Sequence, residues 1–269
     1  MSAAAPAEIE RLVGAARTRD RHRAGLLLGG ALVLLAAFHF TGLLDARRLG
    51  EGMPAIAQIA SEMWPPDFAR WRAWLMPLVD TLAMSVAGTA IAVALSLPLG
   101  FLAAANTTPH PLVYRAARLL LNGLRAVPEL IMGILFVAAV GFGALPGVLA
   151  LGLHSVGMVA KFFAEIVEHV DPRPLEAARA AGATPLQVVL HAILPQVQAQ
   201  MADTALYRWE YNFRASAVMG AVGAGGIGAE LMGSLRLLDY QQVLAIMLCI
   251  LVCVTLVDLL GGWLRTRLA

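Results

Sequence analysis

Long uninterrupted runs of apolar residues constrain this chain more than any other feature. A helix rises about 1.5 Å per residue, so a run of about 20 residues crosses the roughly 30 Å hydrocarbon layer of a bilayer. Only 14% of the 269 residues are charged, against about 25% in a typical soluble domain. The sequence therefore predicts an all-α, polytopic membrane protein with about six transmembrane helices. The runs cover approximately residues 24–44, 76–105, 119–140, 145–166, 197–218 and 243–263.

The rest of the composition narrows the class of protein further. The 20 Lys and Arg side chains nearly balance the 18 Asp and Glu, which gives a formal net charge of +2. The chain thus lacks the basic excess that typifies nucleic-acid binding. The two cysteines, Cys249 and Cys253, lie in the last apolar run without an adjacent His or acidic residue. Cysteines in that setting are small packing residues, and the sequence predicts neither a disulfide framework nor a metal site.

Basic residues are distributed unevenly around the runs. They cluster before the first run, from Arg11 to Arg23, and follow the last run at Arg265 and Arg267. Because Lys and Arg are enriched in cytoplasmic flanks, we expect both termini in the cytoplasm, a parity that six spans satisfy. The first run is longer than the apolar core of a signal peptide, and no clear small-residue cleavage site follows it. We therefore expect it to be an uncleaved first span.

Two segments outside the runs are long enough to have a role of their own. We divide the chain into residues 1–75, which hold the N-terminal tail, the first span and an outer segment, and residues 76–265, the core. The outer segment carries Trp64, Trp71 and Trp74, residues that suit a membrane interface. The second segment, residues 167–196, is expected on the cytoplasmic side between the fourth and fifth spans.

This cytoplasmic segment has the signals of a short helix, a turn and a second helix. Pro172 can begin a helix but cannot continue one, and residues 175–181 are strong helix formers. Gly182 ends that helix or opens a tight turn. Thr184 is suited to cap a second helix over residues 186–194. The small side chains around the turn leave room for the surface of another protein.

Polar side chains inside the runs form rows along single helix faces. At 100° per residue, the polar residues of the fourth run share one face, as do most of those of the fifth. In the third run Arg125 and Glu129 are an i,i+4 pair beside Pro128, which can kink the helix. Such rows are typical of helices that line a water-filled pathway. Alternatively, these polar side chains hold neighbouring helices together. The candidate pathway residues are Arg125, Glu129, Lys161, Gln200, Asp203, Tyr207, Arg208, Glu210 and Arg214.

The sequence argues against two kinds of nucleotide-binding site. Gly223, Gly225, Gly226 and Gly228 satisfy G-x-G-x-x-G, but a dinucleotide site needs a soluble strand–turn–helix around that motif. We predict instead close helix packing or a broken helix at the outer mouth. A P-loop needs G-K-[ST], and the one lysine, Lys161, lies between Ala160 and Phe162. We find no catalytic constellation and predict that the chain is not an enzyme.

The cytoplasmic segment resembles the EAA loop in permease subunits of ATP-binding-cassette importers. The family pattern is E-A-A, three residues, G, nine residues, I, one residue, L-P, and Ala192 stands here where the family has Ile. The resemblance implies a type I importer permease fold in which this loop docks into a cleft of the ATPase subunit. The matching residues are Glu176, Ala177, Ala178, Gly182, Leu194 and Pro195. Ala181 is a further small residue beside this turn.

Two further blocks resemble the phosphonate-import subgroup of these permeases. They are residues 125–130, Arg-Ala-Val-Pro-Glu-Leu, and the stretch 207–228, and with the order of spans the resemblance covers roughly residues 76–262. It implies that the cargo is a phosphonate, phosphite, hypophosphite or phosphate. Lys161, Arg208 or Arg214 could offset the desolvation of such an anion.

The resemblance also implies partners. These are a second permease copy or a paralogue, two ATPase subunits that bind ATP and Mg, and an extracytoplasmic substrate-binding protein, in a bacterial cytoplasmic membrane. No cofactor and no nucleic acid are expected on this chain. The alternatives are the same architecture with an amino-acid cargo such as methionine, or an ATP-independent transporter.

Overall fold

The structure, a computed structural model, describes the backbone of residues 4–268 and the side chains of residues 19, 20 and 22–268. This part of the chain is built of helices, without strands. It forms two units, divided after Glu62. The first unit contains α1, Ala4–Phe40, and α2, Ala46–Glu62. Residues His22–Phe40 of α1 are apolar enough to cross a bilayer, and none of the described side chains in that stretch is buried.

The second unit contains the remaining helices. Three of them, α3 (Trp71–Ala103), α6 (Ala144–Glu168) and α11 (Tyr240–Leu268), are long and apolar enough to span a membrane. With α1, the described residues provide four such helices, or up to six if each of two bent helix pairs is one span. The prediction of an all-α membrane protein with about six spans is therefore confirmed. The other helices are α4 (Pro111–Ala126), α5 (Glu129–Val140), α7 (Pro172–Ala180), α8 (Pro185–Val188), α9 (Leu194–Met219) and α10 (Ile227–Arg236).

The third apolar run is not one straight helix. It is divided between α4 and α5, whose axes differ by 86°. Val127 is extended, as expected for a residue that precedes proline, and Pro128 has no N–H to continue the helix. The 12 residues of α5 extend over only about 18 Å. The predicted single helix over residues 119–140 is therefore wrong in its shape, although Pro128 is where the chain bends.

Small residues bring α3 and α6 close together, and this is the most extensive helix contact in the molecule. A Cβ atom on Gly88 would lie 3.1 Å from the Cβ of Leu151, and one on Gly100 would lie 2.8 Å from the Cβ of Phe163. Such close approach is how membrane helices associate when lipid provides no hydrophobic driving force. The α3–α6 pair is the frame against which α4, α5 and α9 pack.

The Gly100→Ala substitution tests this packing. The added methyl group would press against the Cβ of Phe163, which cannot rotate away. We expect a loss of about 1–2 kcal/mol, within the range for overpacked cores, and a fall of roughly 2–8 °C in Tm. The measurement is thermal unfolding of the purified protein in detergent. Gly123→Ala is the control, because a Cβ there meets nothing within 4 Å; an equal Tm for both variants would contradict close packing at Gly100.

The three tryptophans of the predicted outer segment differ in their exposure. Trp64 and Trp71 are exposed, in agreement with an interfacial position, but Trp74 is only 1% exposed. Its ring lies edge-on to Phe68, with centroids 6.4 Å apart, and it packs with Ile227 and Ile246. The expectation that all three are interface anchors was wrong for Trp74, because α3 already begins at Trp71 and turns this side chain into the core.

Candidate functional site

The loop of residues 167–196, predicted to be cytoplasmic, begins with a capped helix. Asp171 is the N-cap of α7, and its side chain accepts a hydrogen bond from the backbone N–H of Arg173 at 3.0 Å. The Arg173 guanidinium also contacts the Asp171 carboxylate at 2.6 Å. These hydrogen bonds lower the pKa of Asp171 below its usual value, which favours the ionised form of the cap. Pro172 occupies the first turn, where its missing N–H costs nothing.

Gly182 ends α7 in a left-handed turn. Its φ is +83°, a conformation that favours glycine. The N–H of Ala183 donates to the carbonyl of Ala178 at 3.1 Å, and the N–H of Gly182 donates to the carbonyl of Arg179 at 3.0 Å. This pair of bonds is a Schellman motif, which satisfies the last carbonyls of the helix. The predicted turn at Gly182 is confirmed.

Thr184 begins the second helix through a reciprocal capping box. Its hydroxyl accepts from the N–H of Gln187 at 3.4 Å, while the Gln187 side chain accepts from the N–H of Thr184 at 2.8 Å. The helix does not stop before Pro195 as predicted. Instead, residues 189–193 form a π-helical turn in which the N–H of Leu194 donates to Val189. The wider turn accommodates the missing N–H of Pro195, and helical backbone continues from Pro185 to Met219.

The predicted coupling residues lie together on the surface of this loop. Glu176, Ala177, Ala181 and Gly182 are exposed, and Ala178 is half-buried. The side chain of Leu175 is buried and packs this helix against the core. The result is a small-residue face on a helix whose two ends are capped.

A groove of about 730 Å³ adjoins this face. On one side it is lined by residues 106–109, which connect α3 and α4, and on the other by Arg179, Leu186 and neighbouring residues of the loop. Glu168, at the end of α6, supports the α3–α4 side of this groove, because its Oε1 accepts from the N–H of Ala105 and from Arg118 of α4, each at 2.8 Å.

A second group of residues forms a polar cluster inside the membrane-spanning helices. Arg208 of α9 donates from Nε to the Ser155 hydroxyl at 2.7 Å, and Ser155 donates to Asn212 Oδ1 at 3.0 Å. Asn212 in turn donates to the Thr89 hydroxyl at 2.9 Å. The cluster therefore ties α9 to both α6 and α3. Arg208 is only 3% exposed.

Glu129 lies beside this cluster, at the start of α5. The Tyr211 hydroxyl donates to Glu129 Oε1 at 3.1 Å, and the guanidinium carbon of Arg208 lies 4.3 Å above the Tyr211 ring. His154 Nε2 is 3.9 Å from Glu129 Oε2. Two predicted pathway residues thus contact one tyrosine, Arg208 over its ring and Glu129 at its hydroxyl.

The other predicted pathway residues lie elsewhere. Arg265 of α11 pairs with both Glu210 and Asp203, and Arg214 pairs with Asp258 at 2.8 Å. These contacts join α9 to α11. Lys161 lies 3.5 Å from Glu165 in the next turn of its own helix. Arg125, Gln200 and Tyr207 are exposed.

Sequence reasoning did not identify Thr89, Ser155, Tyr211 or Asn212 as members of a polar cluster. A signal was present, since Arg208, Asn212 and Ser216 recur every four residues and all are buried. This row lies beside the row of the fifth run that we predicted to line the pathway. Within the described residues, no three His, Cys, Asp or Glu side chains lie close enough to hold a metal ion.

The glycine-rich segment follows the fifth run and separates α9 from α10. Gly223, Gly225 and Gly226 have φ values of +96°, +75° and +69°, and the axes before and after the break differ by 45°. The Thr81 hydroxyl accepts from the N–H of Ile227 at 2.9 Å and so caps α10. The predicted helix break at these glycines is present, and Gly228 packs against the backbone of Gly220.

Comparison with known proteins identifies several relatives. The family described as "Binding-protein-dependent transport system inner membrane component" matches residues 96–269. The "Phosphite transport system permease protein PtxC" of Stutzerimonas stutzeri is 70% identical over 233 residues, 87% of this chain and 85% of that protein. The "Phosphate-import permease protein PhnE" of Mycolicibacterium smegmatis is 44% identical over 80% of this chain and 40% of that protein.

More distant similarity points to the same fold. A "Probable D-methionine transport system permease protein MetI" of Pasteurella multocida is 27% identical over 73% of this chain and 96% of that protein. An inward-facing structure of the MetNI methionine ABC transporter matches with a TM-score of 0.65 and 22% identity, over 73% of this chain and 96% of that chain. The type I importer permease fold is therefore confirmed.

Proposed function

The chain belongs to the family of binding-protein-dependent transport system inner membrane components, and we propose that it is the permease subunit of an ATP-driven importer of phosphite. The observation that carries this cargo is the 70% identity to a phosphite transport permease over 87% of the chain. Identity is 44% to a phosphate-import permease and 27% to a methionine permease. The methionine alternative is thus only distantly supported.

The proposed machine contains further subunits. ATP and Mg would bind to two separate ATPase subunits, since this sequence has no G-K-[ST] motif. A second copy of this chain or a paralogue would complete the pathway, and an extracytoplasmic binding protein would deliver the cargo. The complex would lie in the bacterial cytoplasmic membrane with both termini of this chain in the cytoplasm, as the distribution of Lys and Arg favours.

The proposed mechanism is alternating access driven from the cytoplasmic side. Closure of the ATPase pair would displace the loop around Glu176 and Gly182. Two features of the structure suit it to transmit that motion: helical backbone is continuous from Pro185 to Met219, and Glu168 joins the end of α6 to Arg118 of α4. Packed helices move as units, so a displacement of the loop would move α9 and the polar cluster on it.

Uptake under phosphorus limitation tests the proposed cargo. The gene is deleted, and phosphite, hypophosphite, 2-aminoethylphosphonate or phosphate is supplied as the only phosphorus source in a strain without redundant importers; methionine uptake is followed in parallel. We expect phosphite uptake to fall at least tenfold and to be restored by the intact gene. Loss of uptake of a different compound, with normal phosphite uptake, would overturn the cargo while retaining the importer.

A further inference from the structure

Arg208 differs from the other basic residues of the core. Of the described basic side chains it is the buried one, and its Nη2 atom has no hydrogen-bond partner within the described residues. No described carboxylate oxygen lies within 4 Å of its guanidinium nitrogens. A buried charge is costly unless it is paired and fully hydrogen-bonded. Glu129 acts on Arg208 only at longer range, so no carboxylate of the described residues forms a direct ion pair with this guanidinium, and its Nη2 keeps an unused donor.

Three other basic residues of the core provide the contrast. Arg214 is paired with Asp258, Arg265 with Glu210, and Lys161 with Glu165. In each case a carboxylate from the chain neutralises the charge. At Arg208, Nε is directed to the Ser155 hydroxyl and Nη1 to the sulfur of Met158 at 3.3 Å, which are neutral partners that position the group without neutralising it.

The geometry suits a passing oxyanion. A guanidinium offers several N–H donors in one plane, which matches the oxygens of a phosphorus oxyanion. We propose that Arg208 is the anion-binding residue of the translocation pathway, with its unpaired Nη2 donating to an oxygen of the cargo. This inference deepens the proposed function and rests on it, since the cargo must be an anion.

Glu129 explains why such a site would release its ligand. Its Oε1 atom accepts from the Tyr211 hydroxyl, and its Oε2 atom has no hydrogen-bond partner within the described part of the chain. A nearby negative charge weakens binding of an anion, and a conduit conducts only if cargo leaves as readily as it enters. Tyr211 and Glu129 are half-buried and Tyr207 is 57% exposed, so the α5–α9 side of the cluster is the side from which cargo would reach Arg208.

The test uses the complete transporter, reconstituted in proteoliposomes with its ATPase and binding protein. Two quantities are measured: ATP hydrolysis stimulated by phosphite-loaded binding protein, and phosphite accumulated per ATP hydrolysed. For Arg208→Gln we expect stimulation within twofold of wild type, because docking lies at the cytoplasmic loop, and at least a tenfold loss of phosphite per ATP. Arg208→Lys, which keeps the charge without the planar donors, should give an intermediate ratio.

A positioning variant and a control variant separate binding from a purely structural role. Ser155→Ala removes the hydroxyl that positions Arg208 but leaves the charge, and should lose less phosphite per ATP than Arg208→Gln. Arg115→Gln alters an exposed arginine of α4 and should match wild type. If Arg208→Gln transports normally, or if its ATPase stimulation and transport fall together, the inference is overturned.

The outcome for wild type separates this inference from the proposed cargo. If wild type accumulates phosphate, hypophosphite or 2-aminoethylphosphonate but not phosphite, the cargo is wrong and the same ratio is measured with that anion. A tenfold loss for Arg208→Gln would then still support the anion site. If wild type accumulates only methionine, both proposals are overturned.

Discussion

Replacing Gly182 with tryptophan is expected to abolish stimulation of the partner ATPase by loaded binding protein, while membrane insertion is unaffected. The exposed face around Gly182 consists of small residues, and a Cβ at Gly182 meets nothing within 4 Å in this chain. A large side chain there would project from the face that is proposed to dock. The φ of +83° adds backbone strain, about 1–2 kcal/mol for an L-residue. We expect at least a tenfold loss, measured as ATP hydrolysis in proteoliposomes.

Gly182→Asn is the matched variant for this prediction. Asparagine adopts the left-handed conformation more readily than other residues, so the Schellman turn should persist, and its side chain is small. We expect at least half of the wild-type stimulation. Normal stimulation in Gly182→Trp would exclude docking at this face. An equal, complete loss in both variants would indicate that the effect arises from the turn and not from bulk on the docking surface.

The local structure of this loop could be predicted because its signals act over a few residues. Pro172, Gly182 and Thr184 each determine a cap or turn through their own backbone or side chain. The continuation past Pro195 could not be predicted in the same way. A proline ends or bends most helices, and only the π-helical turn at residues 189–193 allows the helix to pass it.

Predicting the polar cluster would have required knowing which helices are neighbours. Periodicity assigns residues to a helix face, but it does not say what that face contacts. Asp203, Glu210 and Arg208 lie close together in sequence, yet the first two contact Arg265 of α11 while Arg208 contacts Ser155 of α6. The break at Pro128 has a similar consequence, because it places Glu129 at the beginning of a separate helix, where it meets Tyr211.

Gly228→Val is expected to have the largest effect on folding of any single change proposed. Gly228 and Gly220 lie on opposite sides of the break before α10, where their backbones are in direct contact. A Cβ on Gly228 would overlap the carbonyl oxygen of Ala217, and a Cβ on Gly220 would lie 2.6 Å from the Cα of Gly228. Both obstacles are backbone atoms, so no change of side-chain rotamer relieves them. We expect the monodisperse fraction, measured by size-exclusion chromatography in detergent, to fall below about a tenth of wild type.

Gly233→Ala, five residues further along α10, is the control variant. It separates the steric effect of this contact from the effect of replacing a helical glycine. A Cβ at Gly233 meets nothing within 4 Å, and alanine is favoured over glycine in a helix by about 0.5–1 kcal/mol. This variant should therefore be at least as stable as wild type. A folded, monodisperse Gly228→Val protein would mean that α10 can move away from α9. In that case the glycine segment would be a hinge after α9 and not a fixed bend at the observed 45°.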